Sequence, residues 1–260
     1  MLAGPAAAPA PETAAPAADD VVLQVEGLCK SFGANHVLRD FSLGLHRGEN
    51  VVVLGKSGSG KSVLIKCIIG LMSADSGRIL VLGQDVGTLN HDAMDRLRAK
   101  VGFLFQSNAL YDSMTVRENL LFPLRRHWLD HTPEQENGLV AQALEDVGLG
   151  HTADMMPVEL SGGMRKRIAL ARTLILRPDI ILYDEPTTGL DPVTAREIDH
   201  LLREVQQKYN TSAIIISHDM NCVRLTADRV ALLVEGRCYA EGTFATLEQS
   251  TDPKIHEFFA

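Results

Sequence analysis

A glycine-rich loop between two apolar segments restricts the fold of this 260-residue chain more than any other feature. The loop is Gly55–Ser62, with the order Gly-Lys-Ser-Gly-Ser-Gly-Lys-Ser, and it fits G-x-x-x-x-G-K-[ST]. The apolar run Val51–Leu54 precedes it and Val63–Ile69 follows it, which predicts a strand, a loop and a helix in that order. Glycines let successive backbone N–H groups point inward, and a helix start adds partial positive charge, so the loop is suited to phosphate groups.

Two side chains of this loop have specific expected roles. Lys61 is expected to meet the β and γ phosphates of a nucleotide, and Ser62 to ligate Mg²⁺. A Gly/Ser-rich turn that happens to precede a helix is the structural alternative, but the flanking segments favour the phosphate loop. The predicted nucleotide-binding residues are Gly55, Lys56, Ser57, Gly58, Ser59, Gly60, Lys61, Ser62 and Val63.

An acidic pair ends a second apolar run. Ile180–Tyr183 is strand-sized, and Asp184 and Glu185 follow it. Ligands of open α/β sheets bind at the carboxyl ends of strands. Alone, such a pair is as often a helix N-cap. Beside a phosphate loop, Asp184 is expected to hold Mg²⁺ through water, and Glu185 to orient or deprotonate the attacking water, a role worth about 10²- to 10⁴-fold in rate.

Several short apolar runs have no polar alternation, which is typical of strands buried on both faces of a mostly parallel sheet. They are Val51–Leu54, Val101–Phe105, Ile180–Tyr183, Ala213–Ile216 and Val230–Val234. Helical segments lie between several of them, and one carries apolar residues at i, i+3, i+4 and i+7: Ile198, Leu201, Leu202 and Val205. Strands that alternate with helices indicate an α/β fold.

Two regions depart from this alternation. Val21–Leu28 and Val37–Leu45 contain alternating apolar positions around the turn-like Phe32–Asn35, which predicts antiparallel strands. The middle of the chain, Gln106–Asp179, has no strand-like run, and three segments favour helices: Val116–Leu121, Pro133–Val147 and Ser161–Leu176. We therefore predict one domain over 19–260, a P-loop NTPase core with an N-terminal antiparallel β-subdomain and an inserted helical subdomain at about 107–178.

Charge argues against nucleic acid as a partner. The chain has 25 Lys and Arg against 33 Asp and Glu, a net charge of −8. Sequence-independent binding to nucleic acid needs cations that neutralise phosphates. The basic cluster Arg165–Arg167 is therefore interpreted as a solvated helix face or a surface near phosphate, and no nucleic acid partner is expected.

Further patterns bear on location. The chain contains no run of about 18 apolar residues, so it is not expected to span a membrane by itself. Residues 1–18 are mostly Ala and Pro with no basic residue, which predicts a disordered tail and not a secretory signal. The four cysteines form no C-x-x-C pair, which favours a reducing compartment and thus the cytosol. His127–His131 places two histidines at i, i+4 but lacks a third ligand, so a metal site is not favoured.

The run Leu160–Met164, Leu-Ser-Gly-Gly-Met, precedes a helix rich in Arg and Ala. It resembles the signature motif of the ATP-binding-cassette (ABC) ATPases. Further motifs follow the order of that family from about residue 20 to 260. Phe32 resembles the aromatic residue that stacks on adenine, Gln106 the Q-loop glutamine, Gly189–Asp191 the D-loop, and His218 the switch histidine.

The resemblance implies an ABC ATPase fold that uses ATP and Mg²⁺. It implies catalytic roles for Glu185, His218 and Gln106. It also implies that Ser62, Gln106 and Asp184 hold Mg²⁺. Taken singly, Gln106 could be a solvated strand end and His218 a capping histidine, because polar residues at strand ends usually cap or solvate. The shared order of the motifs favours the functional interpretation.

Pairing of two chains is a further implication. Ser161 and the helix start after it form a second anion site, while the chain's own phosphate loop lies in another subdomain. The resemblance therefore implies a head-to-tail homodimer, with Asp191 in the D-loop and these signature residues acting in trans: Leu160, Ser161, Gly162, Gly163 and Met164. Two departures are that Met164 stands where Gln is usual and that Phe32 stands where Tyr is commoner; Phe32 alone could be a half-buried loop aromatic.

Three functions compete. The resemblance favours the ATPase subunit of a membrane transporter whose membrane spans lie on another chain. The alternative is a soluble ABC-fold ATPase in translation or DNA repair, but those proteins carry two cassettes or a long inserted coiled coil, and this chain has one uninterrupted cassette. A GTPase is disfavoured because no N-K-x-D run occurs.

The middle segment resembles one transporter subgroup. Ser107–Arg125, with Gly60–Lys66 and the Met164 variant, resembles the ATPases of Mce-type lipid transport between bacterial membranes. This implies an integral membrane permease, a lipid-binding Mce-type component and a cytoplasmic position on the inner face of the inner membrane. A permease helix is expected to dock near Gln106–Phe122, where apolar residues would form a groove for it. The alternative is that these residues only pack the insertion's own core. They are Leu110, Tyr111, Met114, Leu120, Leu121 and Phe122.

Overall fold

The computed structural model describes residues 20–126 and 131–259, and the elements named below belong to those ranges. The predicted tail at 1–18 lies outside these ranges. Of the two histidines in the segment 127–131, His127 also lies outside them, and His131 lies inside. The strands are β1 Val21–Phe32, β2 Asn35–His46, β3 Asn50–Leu54, β4 Ser76–Val81, β5 Gln84–Asp85, β6 Val101–Leu104, β7 Ile180–Asp184, β8 Ser212–Ser217, β9 Arg229–Val234 and β10 Arg237–Gly242. The α-helices are α1 Lys61–Ile68, α2 His91–Ala99, α3 Val116–Arg126, α4 Pro133–Glu145, α5 Gly162–Leu174, α6 Pro192–Tyr209, α7 Met220–Thr226, α8 Phe244–Glu248 and α9 Pro253–Phe259.

The larger sheet has the strand order β10-β9-β3-β8-β7-β6. Its pairs β9–β3, β3–β8, β8–β7 and β7–β6 are parallel, and β10 is antiparallel to β9. Every residue of β3, β7 and β8 is buried. The predicted α/β fold with a mostly parallel sheet is confirmed. The edge strand β10 was not predicted, because its residues alternate only between exposed and half-buried positions.

The smaller sheet is antiparallel, with the order β2-β1-β4-β5. Strands β1 and β2 form the predicted hairpin, in which Phe32 pairs with Asn35 across the two-residue turn Gly33-Ala34. Strand β4 was not predicted because its first half, Ser-Gly-Arg, is polar and exposed.

Alternate residues of the parallel strands face two different cores. Val51 and Val53 pack with the antiparallel sheet and α1. Val52 and Leu54 pack with the helices of the middle segment and with α6 and α7. A period of two along a strand that is buried on both faces explains why no polar residue interrupts these runs.

The middle segment is helical, as predicted. In its described part the structure contains α3, α4 and α5 and no strand. A buried amide fixes the connection that precedes α3. Asn119 accepts a hydrogen bond from the Tyr111 N–H (2.8 Å) and donates to the carbonyls of Tyr111, Met114 and Thr115 (3.0, 3.1 and 3.0 Å). The segment after β6 is therefore tied to α3.

Two negative findings concern the described residues alone. Over 20–126 and 131–259, the helices lack the length and apolar character that a membrane crossing requires. Within the same ranges, His, Cys, Asp and Glu side chains form no group of three or more that could hold a metal ion. Cys29, Cys67, Cys222 and Cys238 are free thiols.

A buried carboxyl group lies where α6 packs against α7. Asp199 is 1% exposed, and its Oδ1 has no hydrogen-bond partner among the described residues. Burial is the main reason why the pKa of this carboxyl is raised to about 6. Three smaller effects modify it: the hydrogen bond with Cys222 and the charge of His200 lower the pKa, and the charge of Asp219 raises it. The folded protein therefore keeps this proton to a higher pH than the unfolded chain, whose Asp titrates near 4. Between those two values this group makes the free energy of unfolding fall as pH rises.

We predict that Asp199→Asn stabilises the protein at neutral pH. The upper bound is about 3 kcal/mol at pH 7.5, since one pKa unit corresponds to about 1.4 kcal/mol. The difference should shrink as pH falls through about 6 and vanish near pH 4, which urea unfolding at several pH values measures. The control is Asp85→Asn, because the hydrogen bond from Arg78 lowers the pKa of that half-buried carboxyl, so this change should not stabilise the protein. Equal wild-type and Asp199→Asn stability at pH 7.5 would contradict the assignment.

Candidate nucleotide-binding site

The predicted site residues gather at one edge of the larger sheet. Gly55–Ser62 follows β3, His218 follows β8, Asp184 ends β7, and Gln106 lies just beyond β6. Since β3, β8, β7 and β6 are consecutive and parallel, their carboxyl ends share that edge. Segments far apart in sequence therefore meet.

The phosphate loop is held in a conformation that needs glycine. Gly60 has φ 106°, and a Cβ there would lie 2.7 Å from Val37 Cγ1. Lys61, at the start of α1, is 5% exposed. Its Nζ donates to the carbonyls of Gly55 (2.7 Å) and Lys56 (3.1 Å). Burial lowers the pKa of the Lys61 ammonium, while Glu185 and Asp184 raise it, so a cation is kept close to two carboxylates.

Ser62 and Asp184 join the loop to the acidic strand. The Ser62 hydroxyl donates to Asp184 Oδ1 at 3.1 Å. Burial is the main cause of a raised Asp184 pKa, and the hydrogen bond from Ser62 opposes it. The two oxygen atoms are the kind of ligand that Mg²⁺ takes, and a buried carboxylate favours a nearby cation. These two residues therefore fit the predicted metal ion.

Glu185 is positioned by its backbone and by two side chains. Its φ is 49°, a left-handed conformation that is uncommon outside glycine. Its N–H donates to the Ile216 carbonyl (3.0 Å), and Thr188 Oγ1 donates to its Oε2 (2.8 Å). His218 Nδ1 lies 3.3 Å from its Oε1. Strained backbone held in place by its surroundings is common at active sites.

Gln106 is exposed, and its backbone is held by α5. Lys166 Nζ donates to the Gln106 carbonyl at 2.9 Å. Lys166 is 2% exposed, so the interpretation of Arg165–Arg167 as a solvated face or a phosphate-proximal surface is wrong for its central residue. Burial lowers the pKa of Lys166 to about 8, and Asp184 opposes that effect. Lys166 lies on the same face of α5 as Ala169, Leu170 and Thr173, which are buried at i+3, i+4 and i+7. This helical period could have identified Lys166 as a buried residue from the sequence.

The signature run packs against the D-loop side of the same chain. Ser161 is the N-cap of α5 and accepts a hydrogen bond from the Met164 N–H at 3.2 Å. A Cβ on Gly163 would lie 2.5 Å from Thr194 Cγ2 in α6. Asp191 caps α6 by accepting from the Val193 and Thr194 N–H groups, both at 3.1 Å.

The remaining predicted residues differ in burial. Leu160 is buried, Gly162 and Met164 are half-buried, and Phe32 is 48% exposed at the end of β1. The hairpin that carries Phe32 approaches the phosphate loop where Val37 meets Gly60. Thr188, which holds Glu185, was missed; a hydroxyl three residues after the acid was its only signal.

Known proteins resemble the chain over most of its length. The family model described as ABC transporter matches residues 38–188. The probable ribonucleotide transport ATP-binding protein mkl of Mycobacterium leprae is 38% identical over 241 residues, 92% of this chain and 68% of that protein. The intermembrane phospholipid transport system ATP-binding protein MlaF of Haemophilus influenzae is 37% identical over 238 residues, 91% of this chain and 89% of that protein.

A solved structure shares the architecture. The dimeric post-hydrolysis state of the ATP-binding cassette MJ0796, bound to ADP and Pi, is 29% identical to the chain and superimposes with a TM-score of 0.77. The superposition covers 85% of this chain and 98% of that one. The match therefore covers most of this chain and nearly all of that cassette.

Proposed function

The chain belongs to the ABC transporter family and is an ATPase, and we propose that it is the ATP-hydrolysing subunit of a system that moves lipid between bacterial membranes. The 3.1 Å contact between Ser62 and Asp184 is the observation that carries the catalytic part, because it unites the phosphate loop with the acidic strand. The similarity to a phospholipid transport ATPase supports the substrate class.

The proposed site divides its work among named residues. The N–H groups of Gly58–Ser62 and the Lys61 ammonium hold the β and γ phosphates. The carbonyls of Gly55 and Lys56 accept two of the three hydrogen bonds that this ammonium can donate. Ser62, Asp184 and Gln106 hold Mg²⁺, which when bound supplies positive charge to the phosphate oxygens. Phe32 stacks on adenine.

Glu185 acts on the attacking water. Its carboxylate accepts the proton that the water loses as the water oxygen bonds to the γ phosphorus, while the bond from that phosphorus to the β–γ bridging oxygen breaks and ADP leaves. Thr188 and His218 contact the two carboxylate oxygens, at 2.8 and 3.3 Å, so side chains of the same chain set the orientation of Glu185. A pre-oriented base needs little reorganisation during the reaction.

One chain does not complete the proposed site. The N–H groups at the start of α5 and the Ser161 hydroxyl offer an anion site, but that end of α5 packs against α6. We place it on the nucleotide of a second copy, with Asp191 near the same boundary. The dimeric ATP-binding cassette bound to ADP and Pi supports this pairing.

Lipid is favoured over ribonucleotide as the transported substrate. Both relatives have similar identity, but the chain spans 89% of the phospholipid transport ATPase and 68% of the mycobacterial protein. The resemblance of Ser107–Arg125 to Mce-type ATPases points the same way. An integral permease and an Mce-type component are the proposed partners.

The permease contact is proposed beside the Gln106 segment, on a smaller surface than the sequence indicated. Leu120 and Leu121 are 0% and 5% exposed, so the alternative that they pack the insertion's core is right for these two. Leu110 and Met114 are half-buried. Tyr111 and Phe122 are 43% and 36% exposed, and their ring centroids lie 4.7 Å apart. This aromatic pair is the proposed centre of the contact.

We predict that Glu185→Gln abolishes turnover and preserves ATP binding. The amide keeps the shape and can still hydrogen-bond Thr188, but it cannot accept the proton of the water. Turnover should fall by at least about 10²-fold, and size-exclusion chromatography with ATP and Mg²⁺ should reveal a stable dimer. Wild-type turnover, or loss of ATP binding, would contradict the role.

A charge in the aromatic pair should uncouple the ATPase from its membrane partner. Tyr111→Glu is expected to keep basal ATPase activity, because the side chain is exposed and has no role in the proposed catalytic site. The variant is expected to lose both co-purification with a permease and lipid transport. Tyr239→Glu is the matched control, because Tyr239 is 41% exposed on β10. Normal assembly and transport by Tyr111→Glu would overturn the surface.

A further inference from the structure

Two cations of helix α5 hold the backbone of the segment that begins at Gln106. We propose that Lys166 and Arg172 are positioning residues for Gln106, and that α5 thereby couples the signature end of the helix to the chain's own catalytic site. The inference rests on the proposed role of Gln106 at Mg²⁺ and water, and it names residues that set where that side chain stands.

Lys166 supplies the first contact. Its ammonium is almost fully buried and donates to the Gln106 carbonyl at 2.9 Å. A buried cation without a partner is costly, so a conformation in which this carbonyl moves away is disfavoured. The contact fixes the backbone of the very residue whose side chain the proposed mechanism uses.

Arg172 supplies two more contacts. Its Nη1 donates to the Ala109 carbonyl (2.7 Å) and its Nη2 to the Asn108 carbonyl (3.0 Å). Asn108 and Ala109 have φ 64° and 51°, consecutive left-handed conformations, which Asn tolerates and Ala disfavours. A planar guanidinium offers donors in a fixed fork, which suits two adjacent carbonyls. Arg172 therefore stabilises a turn that would otherwise relax.

The two contacts lie on one rigid element. Helix α5 has 13 residues and is about 20 Å long. Ser161 caps its start, Lys166 lies just over one turn inside, and Arg172 lies in its last turn. When the nucleotide of a second chain binds at Ser161, any shift of α5 that results must also move Lys166 and Arg172. Gln106 moves with their carbonyl partners, so each nucleotide site affects the other.

A double-mutant cycle separates this role from a purely structural one. The variants are Lys166→Met, Gln106→Ala and the pair, assayed for kcat, for KM and for ATP affinity by equilibrium binding. Lys166→Met keeps the apolar stem and removes the donor. We expect its kcat to fall about tenfold with ATP affinity changed less than about twofold, because the loss is confined to the chemical step. In the Gln106→Ala background the same change should cost less than about twofold, since the side chain to be positioned is gone.

Matched variants keep the test interpretable. Arg167→Met removes another α5 cation that donates to a backbone carbonyl, that of Val147 (3.2 Å), away from the Gln106 segment. In the double variant, the fold-loss of kcat caused by Arg167→Met should multiply with the fold-loss caused by Gln106→Ala. Arg172→Lys loses the fork and should behave like Lys166→Met, even if the latter fails to fold, whereas Lys166→Arg should retain most of the turnover.

The outcomes are distinct. Non-multiplicative losses for Lys166→Met or Arg172→Lys support the inference. Losses that multiply with Gln106→Ala, as for Arg167→Met, overturn the positioning role while leaving the proposed role of Gln106 intact. Wild-type kcat in Gln106→Ala itself overturns both that role and the inference that rests on it.

Discussion

Parallel pairing of β3, β8, β7 and β6 is the constraint on which the rest of the structure depends. Each strand delivers one chemical group to the same edge of the sheet: the phosphate loop, His218, the pair Asp184–Glu185 and Gln106. Adjacent parallel strands lie about 4.8 Å apart, which is close enough for side chains from three of them to touch. The contacts Ser62–Asp184 and His218–Glu185 are direct consequences. The register pairs Leu54 with Ser217 and Asp184 with Ile216, so the ends of β3, β8 and β7 lie side by side.

Burial also sets the electrostatics of the edge. Lys61 and Asp184 are both buried. Desolvation lowers the pKa of Lys61 and raises the pKa of Asp184, so in each case it favours the neutral form. Phosphates and a divalent cation would restore the charged forms that burial disfavours.

The sequence predicted the elements whose signal is local. The motif Gly55–Ser62 and the uninterrupted apolar strands identified the parallel sheet and its edge, since strand burial on two faces leaves a pattern in the chain itself. It could not predict β4, whose first half is exposed. The buried position of Lys166 had a local signal, the helical period that it shares with Ala169, Leu170 and Thr173, but its contact with the Gln106 carbonyl depends on the tertiary fold. The split between core Leu120 and exposed Phe122 likewise depends on which side of α3 faces α5. The role of each site residue stays a prediction, because its chemistry depends on ligands and on a second chain.

Composite catalysis is the central claim, and mixing two inactive variants tests it most directly. Lys61→Ala disables a chain's own phosphate loop, and Ser161→Arg blocks the site it offers to its partner. A mixed dimer then contains one composite site with both defects and one with neither. The account predicts that each variant alone is inactive and that an equimolar mixture recovers ATPase activity, up to about one quarter of the wild-type value, since half of randomly formed dimers are mixed and each has one of two sites intact. No recovery in a mixture that demonstrably forms mixed dimers, or full activity of Ser161→Arg alone, would contradict it.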